Sequence, residues 1–169
     1  IETLRKLVLP CTRILYIFSG PYRPCDAFEL SALSGVHTDC IDIQRHQSHD
    51  LADRHIFDDI WRSVKSGYYA AVLMSPPCST FSAARSIPGG PPPLRGPKAP
   101  EIYGLPDLRQ SDKDLVRMGT LLALRGAVLT RRCDSMAIPS IAETHQMLPE
   151  HPSVFKLPEW ENILAQAHV

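Results

Sequence analysis

The sequence has no excess of charge: Lys+Arg and Asp+Glu both number 18. A freestanding binder of nucleic-acid backbones is usually basic. Non-specific DNA or RNA binding through overall charge is therefore excluded, although a local basic groove is not. No apolar run approaches the ~18 residues of a membrane span. No secretory leader is recognisable, because the apolar opening is interrupted by Pro10 and Arg13. There is no Cys-x-x-Cys pair. The five cysteines, Cys11, Cys25, Cys40, Cys78 and Cys133, are odd in number and widely spread. That argues against a zinc site and a disulfide scaffold, and for a reducing compartment, cytosol or nucleus. His46, His49 and His55 have no carboxylate or cysteine partner in a ligand pattern, so no metal is expected. The chain starts at Ile1 rather than Met and reads as a piece of a longer protein with further domains.

What is present suits one globular domain over residues 1–169. Hydrophobic residues make up 44% and charged residues 21%, ordinary values for a chain able to bury a core. The 16 prolines cluster, and so mark a loop.

Local patterning suggests alternating strands and helices. Residues 1–10 form a weak amphipathic lead-in. Arg13 to Phe18 (RILYIF) is β-branched and aromatic and reads as a buried strand, ended by Ser19-Gly20-Pro21. Asp26 to Leu33 has helical spacing with Cys25-Asp26 as cap, and Gly35 ends it. His37 to Ile43 alternates as a second strand, with Asp42 near its carboxyl end. Ile56, Phe57, Ile60, Trp61 and Val64 make an amphipathic helix face closed by Gly67. Ala70 to Met74 is a third strand, stopped by Pro76-Pro77 before Cys78. Residues 83–110 are Pro-, Gly- and Arg-rich and are expected to be a long loop without regular structure, a functional lid or a disordered segment. Ser111 with Asp114 resembles a capping box before a helix from Asp112 to about Arg131, with Leu115, Met118, Leu122 and Leu129 on one side. Met136 to Thr144 is a short strand whose Pro139 suggests an edge. Pro158 to Ala167 is a last helix. The fold class expected is α/β: a doubly wound, mostly parallel sheet of Rossmann-like type, incomplete at its C-terminal side.

In such sheets ligands bind outside the carboxyl ends of the strands. Those ends carry Gly20, Asp42, Cys78 and Glu143. Each has an ordinary explanation as well: a turn glycine, a solvated strand-end acid, a small buried hydrophobe, a surface carboxylate. Asp50 equally suits a helix cap, and the loop arginines equally suit solvated charges.

Taken in order, these residues resemble the DNA cytosine-5 methyltransferase family, over roughly Arg13 to Thr144. Ile17-Phe18-Ser19-Gly20 resembles the turn that cradles S-adenosylmethionine. Asp42 matches the acid that binds the cofactor ribose, and Asp50-Leu51 the acid that contacts the adenine amino group. Ser75-Pro76-Pro77-Cys78 with Phe81-Ser82 resembles the Pro-Cys nucleophile motif, the most specific match. Ala142-Glu143-Thr144 falls where the family has Glu-Asn-Val. The resemblance implies S-adenosylmethionine as cofactor, bound through Phe18, Gly20, Asp42, Asp50 and Pro77. It implies DNA, or alternatively RNA, as partner. It also implies methyl transfer to carbon 5 of cytosine, with Cys78 as nucleophile and Glu143 as proton-sharing acid. That carbon is barely nucleophilic; a thiolate adding to carbon 6 activates it. The base must leave the duplex to be reached. Arg85, Arg95, Lys98 and Arg109 of the long loop are then expected to close over a phosphate backbone.

The departures are specific. Pro21-Tyr22-Arg23 follows Gly20 where the family has further glycines. Ser79 stands for the usual Gln, Thr144 for Asn, and no Gln-Arg-Arg element or target-recognition region follows. They motivate a second expectation: a catalytically inactive module that keeps the fold as a scaffold for binding protein or nucleic acid. A Rossmann-like domain for another nucleotide, or a thiol hydrolase, is disfavoured, since no helix-forming sequence follows Cys78 directly and no Gly-x-Cys-x-Gly elbow is present.

Overall fold

The computed structural model describes residues 13–144 and 147–166. The expected lead-in over residues 1–10 and Cys11 lie outside them. Among the described residues four strands form one sheet: β1 (Arg13–Ile17), β2 (His37–Ile41), β3 (Ala71–Met74) and β4 (Ser140–Ala142), in the order β2-β1-β3-β4. Every pairing is parallel. Ile17 sits beside Ile41 and Met74, and Met74 beside Ala142. Four α-helices accompany the sheet: α1 (Ala27–Leu33), α2 (Arg54–Lys65), α3 (Gln110–Ser135) and α4 (Pro158–Gln166). From β1 the chain steps outward to β2, then crosses back over β1 to β3. The strand order therefore reverses between β1 and β3, and the loops leaving those two strands diverge.

Strand alternation decides which side of the sheet is sealed. Leu15, Ile17, Val72 and Met74 are fully buried and share one face. Against them pack Ile60 and Val64 of α2, and Ala123, Ala127, Leu129 and Cys133 of α3. α3 approaches closely because its buried stripe is small. A β-carbon on Gly126 would meet the Trp160 ring at 3.2 Å and Pro76 at 3.6 Å. Trp160 of α4 in turn donates its indole N–H to the Ala123 carbonyl at 3.0 Å, so its polar handle is satisfied while its ring fills the core. Each such large apolar side chain contributes roughly 1.5–3 kcal/mol on burial. The opposite face holds Ile14, Tyr16 and Leu73, only partly buried, and Ile141, 65% exposed.

Three expectations are corrected. The Ser111–Asp114 capping box does not form: α3 begins at Gln110 after Arg109, and Ser111 lies inside the helix. Leu115 and Met118 do not face the core but are 53% and 47% exposed. Leu129 is buried as expected, but the rest of the inward stripe is Val116, Gly119, Ala123, Gly126, Ala127, Thr130 and Cys133, mostly small residues that periodicity counting passes over. The loop 83–110 is neither disordered nor without structure. It contains 3-10 turns at Ala83–Ser86 and Glu101–Tyr103, and it buries Leu94, Arg95 and Ile102. No helix of the described residues is long and apolar enough to cross a membrane.

Candidate functional site

The carboxyl ends of β1 and β2 are tied together by one backbone bond and by the Asp42 side chain. Phe18 donates its N–H to the Ile41 carbonyl at 2.9 Å. The Gly20 N–H donates to the Asp42 carboxylate at 2.9 Å, and the Gln44 N–H to its other oxygen at 2.8 Å. The turn is strained to make this fit. Phe18 has φ 57° and Gly20 φ 67°, and a left-handed residue with a side chain costs roughly 1–2 kcal/mol. Such strain clusters at sites that use it.

Behind the turn sits Arg45. Its side chain is 2% exposed. It donates to the Gly20 carbonyl at 2.8 Å and to Asp26 at 2.7 Å, and it stacks 4.2 Å from the Tyr22 ring. Asp26 is held below its usual pKa first by the Glu29 amide, which it caps at the start of α1, and next by Arg45. Arg45 is held above its own ordinary value by its carboxylate and other partners, against the cost of burial.

Phe18, Asp42, Asp50 and Pro77 line one cavity of about 230 Å³, together with Ile43, Gln44, His49, Leu51 and Leu122. Asp50 also acts as the local cap weighed from its sequence position, accepting from the Ala52 N–H at 2.8 Å; α2 itself is capped by Asp53. Gly20 does not line the cavity but fixes Asp42 beside it. The walls carry two carboxylates, one phenyl ring and no Lys or Arg. They suit a ligand that presents hydroxyl and amino donors, and they disfavour phosphate. The volume is below the roughly 300–1,000 Å³ of pockets for whole drug-sized ligands.

Cys78 follows Pro77 and is half-buried. Its carbonyl accepts the Phe81 N–H at 2.8 Å, closing a turn anchored by the fully buried Phe81. Arg85 folds back onto that turn, donating to the Ser79 carbonyl at 2.8 Å and to that of Pro92 at 3.1 Å. Arg95, 3% exposed, donates to Thr80, Thr120 and the carbonyls of Ile102 and Val116. Arg109 pairs with Asp112 at 3.1 Å. Of the four cations expected to close over a backbone, only Lys98 is exposed and makes no ion pair among the described residues.

Glu143 is elsewhere. It accepts from the Ser75 hydroxyl at 2.7 Å, and Ser75 is 3.0 Å from the Tyr16 hydroxyl. Ser75 has one proton and spends it on Glu143, so Tyr16 is the donor to Ser75. These residues line a cleft of about 100 Å³ with Leu73 and Ile141, on the less covered face of the sheet. Thus four of the five residues expected to bind the cofactor line one cavity, with Gly20 behind it, while Glu143 lines the separate cleft at Ser75 and Cys78 lines neither. Sequence reading missed Arg45, His49, Tyr16 and Ser75. The alternation of β1 carries a signal for Tyr16, since it sets that residue on the face that Leu73 and Ser75 share. Among the described residues no group of three or more His, Cys, Asp or Glu is arranged to hold a metal. Comparison with family models, curated proteins and solved structures found no match to this chain.

Proposed function

We propose that the chain is an S-adenosylmethionine-dependent methyltransferase-like domain that modifies carbon 5 of cytosine in DNA through Cys78. The observation that carries this reading is the single cavity lined by Phe18, Asp42, Asp50 and Pro77, with Cys78 next in the chain. The sheet order supports it. Right-handed crossovers set α1 on one face and α2 and α3 on the other, a doubly wound arrangement with the cavity at the strand-order reversal. In this reading the fold is a Rossmann-like methyltransferase sheet with β2 and β4 at its edges.

Asp42 and Asp50 accept the ribose hydroxyls and the adenine amino group, and Phe18 packs on the base. When bound, the cofactor supplies the methyl group. Cys78 as thiolate adds to carbon 6 of the flipped cytosine, which places electron density on carbon 5. Glu143 shares a proton with the ring nitrogen as charge builds there. It must first give up its bond to Ser75. Once carbon 5 carries the methyl group, a solvent water takes its proton as the bond from carbon 6 to the Cys78 sulfur breaks, which restores the ring and frees the thiolate.

A second reading, an inactive module that binds protein or nucleic acid, is favoured by other observations. Arg45 occupies the turn behind Gly20, and the two Asp42 oxygens are already engaged by backbone amides. Cofactor calorimetry followed by trapping on a 5-fluorocytosine oligonucleotide separates the two. The first reading expects binding and a covalent adduct that Cys78→Ala abolishes. No adduct from a folded, cofactor-bound protein leaves the second.

A further inference from the structure

Two concavities lie away from that site, on the surface between the long loop and the first turns of α3. One, of about 490 Å³, runs between Leu105 and Leu108 of the loop and Leu121 and Leu124 of α3. A second, of about 630 Å³, continues across the Leu105–Leu108 ridge between the prolines Pro92, Pro93 and Pro106. A groove floored by leucines is the kind of surface that seats the apolar face of an amphipathic segment.

The larger concavity is mixed in charge, with Asp107, Asp112 and Arg109 in its walls; the smaller one is not. The smaller groove is rimmed by Lys113 and Arg117, and no acidic residue lines it. Lys113 makes no ion pair among the described residues. Arg117 is 3.9 Å from Asp114, with both side chains well exposed, a pair worth little in water. The floor is aliphatic, with Tyr103 the one aromatic, whose hydroxyl is taken by Glu159 at 2.9 Å. A single-stranded nucleic acid calls for stacking rings and a track of cations, and two rim charges on a leucine floor do not supply them.

We propose that this groove docks an acidic amphipathic peptide segment of a partner protein. The partner's apolar side chains at i and i+4 enter between the four leucines, and its carboxylates meet Lys113 and Arg117. The rigid floor favours such docking: Arg95 fixes Val116 and Thr120 of α3 and Ile102 of the loop from beneath, so little ordering is needed on this side. The proposal is independent of methyl transfer and of the cavity at Phe18.

The test is fluorescence anisotropy of a labelled synthetic helical peptide, with leucines at i and i+4 and glutamates beside them, titrated with the full chain. Saturable binding is expected, weakened about tenfold by the double variant Lys113→Glu/Arg117→Glu, a loss of about 1.4 kcal/mol. Leu121→Asp should weaken it further with an unchanged circular dichroism spectrum; the charge reversal, on exposed side chains, keeps the test valid if that variant fails to fold. Three outcomes overturn the proposal: no saturable binding; equal binding of a peptide whose leucines are replaced by serine; or displacement by a single-stranded oligonucleotide of equal charge, which would make this a nucleic-acid surface.

Discussion

The guanidinium of Arg95 lies 3.8 Å from the centre of the Phe81 ring, and this stack joins the turn after Cys78 to the long loop. The same Arg95 bonds Val116 and Thr120 of α3. It is a buried cation without a carboxylate, satisfied by carbonyls, hydroxyls and a ring face. Burial lowers its pKa to about 10, still far above neutral, so it remains charged.

Arg95→Met is accordingly expected to destabilise the protein by about 3 kcal/mol or more, since it strands two carbonyls and two hydroxyls. Arg95→Lys should recover only part of this, because an ammonium cannot reproduce the planar stack and fork. Urea unfolding measures both. A loss below about 1 kcal/mol for Arg95→Met would show that water replaces the network at little cost.

Gly119 lies under the same network. A β-carbon there would come within 2.7 Å of the Thr80 hydroxyl and 3.2 Å of Arg95. Helix propensity alone would make Gly119→Ala stabilising by about 1 kcal/mol. The contact reverses the sign, and a net loss of roughly 1–2 kcal/mol is expected. A raised thermal midpoint in Gly119→Ala would contradict the packing described.

Cys133, fully buried in α3, has its thiol pKa raised from 9.0 to about 11, chiefly by desolvation. The unfolded chain therefore loses this proton first as pH rises. The contribution is intact below pH 9 and is lost progressively toward pH 11, by roughly 2 kcal/mol in all. Cys133→Ala should flatten that part of the alkaline stability curve. In the native state, alkylation should reach exposed Cys25 readily and Cys133 only on unfolding.

Tyr16, Ser75 and Glu143 form one directional chain, so Tyr16→Phe and Ser75→Ala remove parts of the same unit. Their stability effects, each about 1 kcal/mol, should not add; a coupling of roughly 0.5 kcal/mol or more is expected from the double-mutant cycle. Strict additivity would mean the hydroxyls act separately.

The strands and helices were legible because their apolar periods are clean: RILYIF, the stripe from Ile56 to Val64, and the run before Pro76 each match an element. The all-parallel sheet followed from their alternation. What was not legible depended on small or polar residues used for packing. Gly119, Ala123 and Gly126 make the buried stripe of α3, and periodicity counting pointed instead to Leu115 and Met118. Arg95 looked like a solvated loop charge because nothing local in the sequence says that a guanidinium will be walled in by residues from Thr80 to Thr120. At the site, order along the chain anticipated the neighbours Phe18, Asp42, Asp50 and Pro77. It did not anticipate that Glu143 would bond Ser75, a relation that depends on which way a carboxylate turns at the end of an edge strand.

The pairing of β1 with β2 on one side and β3 on the other has a bearing on how the chain is made. On a ribosome, Arg13–Ile17 and His37–Ile41 emerge well before Ala71–Met74. Until then the future central strand has a bare edge, and its inward residues Leu15 and Ile17 have neither Val72 and Met74 beside them nor α3 above them. Pairing over such a separation is slow, and an unpaired apolar strand is open to the wrong neighbour. A nascent piece halted between Ile41 and Ala71 should therefore need a chaperone, whereas one extended through Gln166, which adds β4 and the core ring of Trp160, should hold its own shape.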